Sequence, residues 1–304
     1  MRGTWYVVPT AFRDDGDLDL DSQAALAEAA VRWGAGGLTV LGVMGESTAL
    51  DDRERGAVLD AVMAGAAGRV PVTVGCSAAA QRLVRRRVDE AAAAGAAAVM
   101  VSAPPLHRDA GSLPGFFAEI AAASPLPLVI QDEPAATGVT LPTSVLLAIV
   151  ESTGARVVKL EDPPTPPKIG RILAADPELT VFGGLGGVSA LAELRSGSCG
   201  TMTGFAFPEV LARVYESHSG GEADVAAGVF DAYLPLIQFE AQPGIGLGIR
   251  KEILRRRGVI AANHVRVPAG RISPATADEL SSVLRRVGVV PSPDPLPVRN
   301  EPYR

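Results

Sequence analysis

The sequence predicts an α/β fold, a closed (β/α)8 TIM barrel followed by a C-terminal helical extension. Short β-rich runs alternate with longer segments rich in Ala, Leu and Arg, and that alternation is typical of a parallel sheet covered by helices. The β-rich runs lack polar alternation, as expected for strands that are buried on both faces. Eight such strands with intervening helices are the number that closes a barrel of this type.

The eight predicted strands follow one another up to residue 206. They comprise residues 4–8, 37–42, 70–75, 97–102, 126–131, 155–160, 179–184 and 200–205. Helical segments are expected between them at about 21–34, 51–67, 78–94, 111–124, 141–152, 166–175 and 187–196. Gly and Pro mark the junctions, and the first helix is expected to have Asp21 as its N-cap residue.

The strand pattern stops after residue 206, and only helical patterns follow. Helices are expected at about 208–218, 222–240, 246–257 and 274–287, before the proline-rich tail "VVPSPDPLPVRNEPYR". The tail is expected to be extended on the surface. We therefore predict a barrel over residues 1–206 that carries the active site, and a helical extension over residues 207–304.

Composition excludes several classes of protein. The 304 residues are 47% hydrophobic, and a net charge of −6 with a pI near 5.2 disfavours nucleic acid and anionic membranes as partners. Two cysteines, Cys76 and Cys199, form no disulfide framework, and the three histidines (His107, His218 and His264) are too scattered for a metal site. The apolar runs are short and interrupted, and the first strand begins almost at once. We expect a cytoplasmic protein without a signal peptide, membrane span, metal or cofactor.

A lysine inside the sixth predicted strand is the strongest signal of chemistry. The chain has three lysines among 28 Lys and Arg residues, and Lys159 lies in the apolar run "RVVKLEDPP". Active sites of such barrels lie at the C-terminal ends of the strands, where a buried neutral amine can attack a ketone and form a Schiff base. A lysine that pairs with Glu161 or Asp162 explains the position equally well. Lys168 is expected to face solvent, and Lys251 to belong to a basic helix face.

The turn after the second strand, "GVMGEST", is the second candidate. Glycines around a tight turn can aim backbone N–H groups at an anion such as a carboxylate. An ordinary turn between a strand and a helix has the same composition, and the residues alone favour that interpretation.

Four segments together resemble the dihydrodipicolinate synthase / N-acetylneuraminate lyase family. They are "VVPTAF" near the start, "GVMGEST" after strand two, "QDEPAATGV" after strand five and "VVKLED" on strand six. Gln131 precedes Lys159 by 28 positions, the spacing between the family's tyrosine and lysine. The resemblance covers about the whole chain. It implies a class I aldolase-type barrel in which Lys159 forms a Schiff base with pyruvate or another 2-oxo acid.

The resemblance also implies substrate-binding positions. Backbone N–H groups of Met44 and Gly45 would bind the substrate carboxylate, with Ser47 assisting, and Met202 on strand eight would line the 2-oxo acid site. Relatives are commonly tetramers built from dimers, so we expect a homo-oligomer, either a dimer or a tetramer.

Several positions depart from the family's motifs. They are Val43 and Met44 for two threonines, Pro105 and Leu106 for a tyrosine pair, Gln131 for the general acid/base tyrosine, and Ala136 for the arginine that binds the aldehyde's carboxylate. An amide cannot move a proton at neutral pH, so Gln131 is predicted as a catalytic-site residue beside Lys159 that does not itself carry the proton. Asp132, Glu133, Glu161 or a water held by Gln131 could replace the tyrosine, and the sequence does not choose among them.

These departures decide the predicted function. We expect a Schiff-base lyase or aldolase acting on a 2-oxo acid that is not a true dihydrodipicolinate synthase. A dehydratase using the same imine and a non-catalytic relative that binds a small acid are the alternatives. Because the exchanged aromatic of some relatives is missing at Pro105 and Leu106, each active site is expected to be complete within one chain.

Overall fold

The computed structural model describes residues 1–105 and 107–300 and contains the predicted barrel. Its eight parallel strands form a closed sheet in which each strand pairs with its neighbours in sequence, and β8 pairs with β1. The strands are β1 (Gly3–Val7), β2 (Gly37–Val40), β3 (Val72–Gly75), β4 (Ala98–Ser102), β5 (Leu128–Asp132), β6 (Val157–Leu160), β7 (Thr180–Gly183) and β8 (Gly200–Thr203). The predicted fold class is confirmed, and every predicted strand overlaps an observed one.

Helices cover the outside of the barrel and form the extension. They are α1 (Leu20–Arg32), α2 (Asp52–Ala66), α3 (Gln81–Ala93), α4 (Leu113–Ala123), α5 (Pro134–Thr137), α6 (Thr143–Thr153), α7 (Thr165–Ala175), α8 (Ala190–Arg195), α9 (Pro208–Ser219), α10 (Ala223–Glu240), α11 (Gly246–Arg256) and α12 (Pro274–Arg286). The N-cap of α1 is Asp19, which accepts the Ser22 N–H at 3.1 Å. The prediction of Asp21 was wrong, because the helix begins two residues earlier and Asp21 lies in its first turn.

Alternation along the strands separates two apolar layers. Inside the barrel lies a small cluster of residues that share one strand face, namely Trp5, Val7, Ala98, Met100, Val129, Phe182 and Met202. The opposite strand faces pack against the helices and form the larger core. This arrangement fixes which strand residues face the barrel interior, and Val157 of β6 packs against the inner cluster. Lys159, two residues later, therefore points the same way.

The C-terminal helices are held against the barrel. Helix α9 packs against β1 and completes the layer of helices around the barrel, so the C-terminal extension consists of α10–α12. The tail crosses the surface as irregular backbone, anchored by Arg257, which donates to the Ser292 carbonyl at 3.0 Å and stacks 3.6 Å from the Trp33 ring. Within residues 1–105 and 107–300, no helix combines the length and the apolar character that crossing a membrane requires.

Candidate active site

Lys159 lies at the C-terminal end of the barrel interior. It is 3% exposed and is flanked in register by Gln131 on β5 and Phe182 on β7. Its Nζ atom lies 2.9 Å from Oε2 of Glu161. The amine is therefore buried beside an apolar cluster and is also paired with one carboxylate. Both features that the sequence offered as explanations of Lys159, a buried amine and a pair with Glu161, are present together.

Glu161 is fixed by three donors. Its Oε2 accepts from Lys159 and from Gln131 Nε2 at 2.9 Å, and its Oε1 accepts the Leu185 N–H at 3.3 Å. The neighbouring Gly184 is required for this position, because a Cβ there would lie 2.4 Å from Oε1 of Glu161. The structure thus brings together three of the residues singled out from the sequence.

Glu133 is a second carboxylate near Lys159, and one of its oxygens is uncommitted. It follows β5 two residues after the inward-facing Gln131 and is half-buried. Its Oε2 is buried without a hydrogen-bond partner among the described residues. Burial raises the pKa of Glu133 to about 7, repulsion from Glu161 raises it further, and Lys159 opposes the rise. Such a carboxyl group can accept and donate a proton near neutral pH.

Asp132 faces away from the barrel interior and is bound elsewhere. Its Oδ2 accepts from Lys168 Nζ at 2.6 Å, and the same ammonium binds Asp162 at 2.7 Å and the Leu141 carbonyl at 2.5 Å. Burial raises the pKa of Asp132, and Lys168 opposes this rise. The prediction that Lys168 faces solvent was wrong: the lysine is 4% exposed, because the start of α7 lies over the ends of β5 and β6. Lys168 therefore ties together the two segments that carry Glu133 and Glu161.

The turn after β2 has the geometry of a 3₁₀ turn over Val43–Gly45. Within it the Gly45 N–H donates to the Gly42 carbonyl at 3.0 Å, while the Gly45 carbonyl accepts from Thr10 Oγ1 at 2.6 Å. The Met44 N–H takes no part in the bonds that define this turn, and the Met44 side chain packs against the inner apolar cluster. Of the two predicted backbone donors, Met44 is therefore the one that the turn leaves available.

A buried ion pair fixes this turn to the extension. Glu46, in the left-handed conformation at φ 52°, pairs with Lys251 Nζ and accepts the Arg266 N–H at 2.9 Å. Lys251 is 0% exposed and also donates to the His264 carbonyl at 2.8 Å, so it does not lie on an exposed helix face. Burial lowers the pKa of Lys251 to about 8, and Glu46 opposes the fall. Lys251 is therefore a structural lysine of the interior, and the prediction that it belongs to a basic helix face was wrong.

The remaining predicted residues lie around this arrangement. Ser47 is half-buried at the start of a second 3₁₀ turn. Met202 is 0% exposed and belongs to the apolar cluster inside the barrel, where it pairs in register with Trp5. Ala136 is exposed in α5. Pro105 follows β4, and Leu106 lies outside the described residues.

Comparison with known proteins identifies relatives of the whole chain. A family model described as the dihydrodipicolinate synthetase family matches residues 1–287. An L-2-keto-3-deoxyarabonate dehydratase from Azospirillum brasilense is 33% identical and covers 98% of this chain and 96% of its own. A 4-hydroxy-tetrahydrodipicolinate synthase from Kineococcus radiotolerans is 30% identical, covering 94% of this chain and 93% of its own. The crystal structure of dihydrodipicolinate synthase from Rhodopseudomonas palustris superposes with a TM-score of 0.88 at 33% identity, over 94% of this chain and 97% of that one.

Proposed function

Since the chain belongs to the dihydrodipicolinate synthetase family and is a lyase, we propose that it dehydrates a 3-deoxy-2-oxo sugar acid through a Schiff base at Lys159. One observation carries the proposed proton transfers: Glu133, with an uncommitted buried oxygen and a pKa of about 7, lies beside the Lys159–Glu161 pair. Elimination of water needs a group that takes a proton from one carbon and gives one to the leaving hydroxyl.

The first step is imine formation. Lys159 transfers a proton to Oε2 of Glu161, 2.9 Å away, and its neutral amine attacks the C2 carbonyl carbon of the substrate. The former carbonyl oxygen receives one proton from the attacking nitrogen and the other from Glu161, leaves as water and gives the protonated imine. Gln131 donates a hydrogen bond to the same oxygen of Glu161 and so holds the carboxylate in position. The Met44 N–H binds the substrate carboxylate.

The second step removes the C4 hydroxyl. The protonated imine withdraws electrons, so the Glu133 carboxylate can take a proton from C3 and leave an enamine. Glu133 then donates this proton to the C4 hydroxyl, and the enamine electrons form the C3–C4 double bond as water departs. Hydrolysis of the imine releases Lys159 and an unsaturated 2-oxo acid. The net change is the loss of one water.

Two further observations support a dehydratase over a synthase. The position at which synthases bind the aldehyde's carboxylate is the uncharged, exposed Ala136. The relative from Azospirillum brasilense, 33% identical along nearly the whole chain, is a dehydratase of a 2-keto-3-deoxy sugar acid. Aldol cleavage between C3 and C4 is the second candidate reaction, because the same Glu133 could take the proton of the C4 hydroxyl instead.

Product analysis distinguishes these reactions. The purified protein is incubated with a panel of 3-deoxy-2-oxo aldonates, and the products are identified by NMR spectroscopy and mass spectrometry. A product lighter than the substrate by one water supports dehydration, whereas pyruvate, detected by its reduction with lactate dehydrogenase, shows aldol cleavage. Absence of both products, together with no borohydride-trapped adduct at Lys159, would leave only a small-acid-binding role.

We further propose that the protein is a homo-oligomer whose active sites are each complete within one chain. Lys159, Glu161, Gln131 and Glu133 all come from a single chain in the arrangement described above. Light scattering after size-exclusion chromatography measures the assembly, and activity is then followed on dilution. Constant specific activity on dissociation supports self-contained sites, and its loss contradicts them.

A further inference from the structure

A cavity of about 840 Å³ lies beside the C-terminal mouth of the barrel. It is bounded by the turn after β2, the turn after β7 and the extension, which contribute Met44, Leu185 and Arg250 respectively. Because Met44 also packs against the apolar cluster inside the barrel, the cavity borders the barrel interior that Lys159 faces.

Arg250 of α11 lines the cavity and has an unused donor. The residue is 2% exposed, and its Nε donates to Oε1 of Glu240 at 2.5 Å. Its Nη1 is buried without a hydrogen-bond partner in the part of the chain that the structure describes. A Cβ on Gly204, just after β8, would lie 3.0 Å from this nitrogen, so the glycine leaves room for the guanidinium at the barrel mouth. Leaving a buried charged donor unpaired costs free energy that a bound acceptor would recover.

The chemistry of the cavity selects the acceptor. Guanidinium groups bind carboxylates through parallel N–H donors, and Glu240 occupies only the Nε of Arg250. The neighbouring turn presents Val43 and Met44 to the same cavity, and neither side chain can donate a hydrogen bond. Arg266, the other cation that lines the cavity, already donates through its Nε, Nη1 and Nη2 to Gly16, Ala49 and Glu54. Arg250 therefore supplies the charged donor that an acid would need there.

We infer that Arg250 is a substrate-binding residue that receives a carboxylate of the 2-oxo acid in this cavity. The inference deepens the proposed function and rests on it for the identity of the acid. The carboxylate has two possible sources: the one next to the oxo group, or a second one at the far end of a dicarboxylic substrate.

Borohydride trapping with two probes tests the inference. Pyruvate carries only the first carboxylate, and 2-oxoglutarate carries both. Arg250→Lys keeps a charge for Glu240 but removes Nη1, and the double variant Arg250→Gln/Glu240→Gln keeps the buried region uncharged if the lysine variant misfolds. Arg255→Lys, on the exposed side of the same helix, is the control.

The expected loss is about ten- to a hundredfold in the concentration of acid needed for half-maximal trapping, the effect of one charge-assisted hydrogen bond. A loss with both probes assigns the carboxylate next to the oxo group, and a loss with 2-oxoglutarate alone assigns the distal one. Wild-type trapping that both folded variants retain overturns the inference. If the wild type traps neither acid, the proposed function fails, and thermal unfolding in the presence of oxalate or glutarate then tests whether Arg250 binds a carboxylate. Stabilisation of the wild type that the Arg250 variants lose supports the inference. Any other result overturns the inference.

Discussion

Replacing Glu133 by Gln separates imine formation from the proton transfers that follow it. The amide keeps the size and the hydrogen-bonding capacity of the side chain but cannot exchange a proton. Loss of a general acid/base lowers the rate about 10²- to 10⁴-fold, or about 3–5 kcal/mol in the activation barrier. Since Lys159, Glu161 and Gln131 keep their contacts, borohydride trapping of pyruvate is expected to stay within about tenfold of wild type.

The pH profile gives a second readout for this variant. With a Glu133 pKa of about 7, the ionised fraction falls from about one half at pH 7 to about one tenth at pH 6, so the wild-type kcat/KM is expected to fall about fivefold. Glu133→Gln is expected to lose this inflection. Glu178→Gln, at a side chain that is 88% exposed, is the matched control and should behave like wild type.

The assay measures the rate of dehydration of the preferred substrate from pH 5 to pH 9, a range of about four pH units. Borohydride trapping of pyruvate is measured in parallel. The reasoning is refuted if Glu133→Gln turns over at more than about a tenth of the wild-type rate. It is equally refuted if the inflection near neutral pH persists in the variant, because another group would then carry the protons.

Three further outcomes are expected. Lys168→Met leaves the buried carboxylate of Asp132 and its neighbour Asp162 without their cation, and urea unfolding should show a loss of about 3–5 kcal/mol; stability equal to that of wild type contradicts the proposed tie between β5 and β6. Burial raises the pKa of Glu193 from 4.5 to about 7, so the folded protein binds more protons than the unfolded chain and loses about 3 kcal/mol of stability as pH rises through that interval. Glu193→Gln should therefore be more stable than wild type at pH 8 but not at pH 4, and an equal effect at both pH values refutes this. Coupled turnover of pyruvate with aspartate semialdehyde should be negligible, because Ala136 and Gln131 replace the groups that bind the aldehyde and move its protons; a rate comparable to synthases contradicts that reasoning.

The barrel and the lysine buried inside it were predictable from the sequence for physical reasons. Strands buried on both faces are apolar throughout, so the eight runs stood out between the helical segments. Lys159 was visible because a cation interrupted one of these runs. The same alternation that turns Lys159 inward also turns Glu133 and Glu161 inward and Asp132 outward. Applying it to the residues after β5 and β6 would have excluded Asp132 from the candidate carboxylates and left Glu133 and Glu161.

The buried cations of the helices were not accessible in this way. Lys168 and Lys251 lie in segments whose composition is typical of exposed helix faces, and each is buried only because an acidic partner from a distant strand end lies opposite. Arg250 was hidden for the same reason, since its partner Glu240 belongs to a different helix. Pairings across the fold depend on how the turns and the extension pack, which a local pattern does not record.

The central claim, that Lys159 forms an imine with a 2-oxo acid, is tested most directly by borohydride reduction in the presence of pyruvate, followed by peptide mass spectrometry. A mass increase on the peptide that contains Lys159 is expected in the wild type, and its absence is expected in Lys159→Ala. The variant should remain folded, because the substitution truncates one strand-end side chain and leaves the apolar cluster inside the barrel intact. An adduct on Lys168 or Lys251, or trapping in Lys159→Ala at the wild-type rate, would contradict the account.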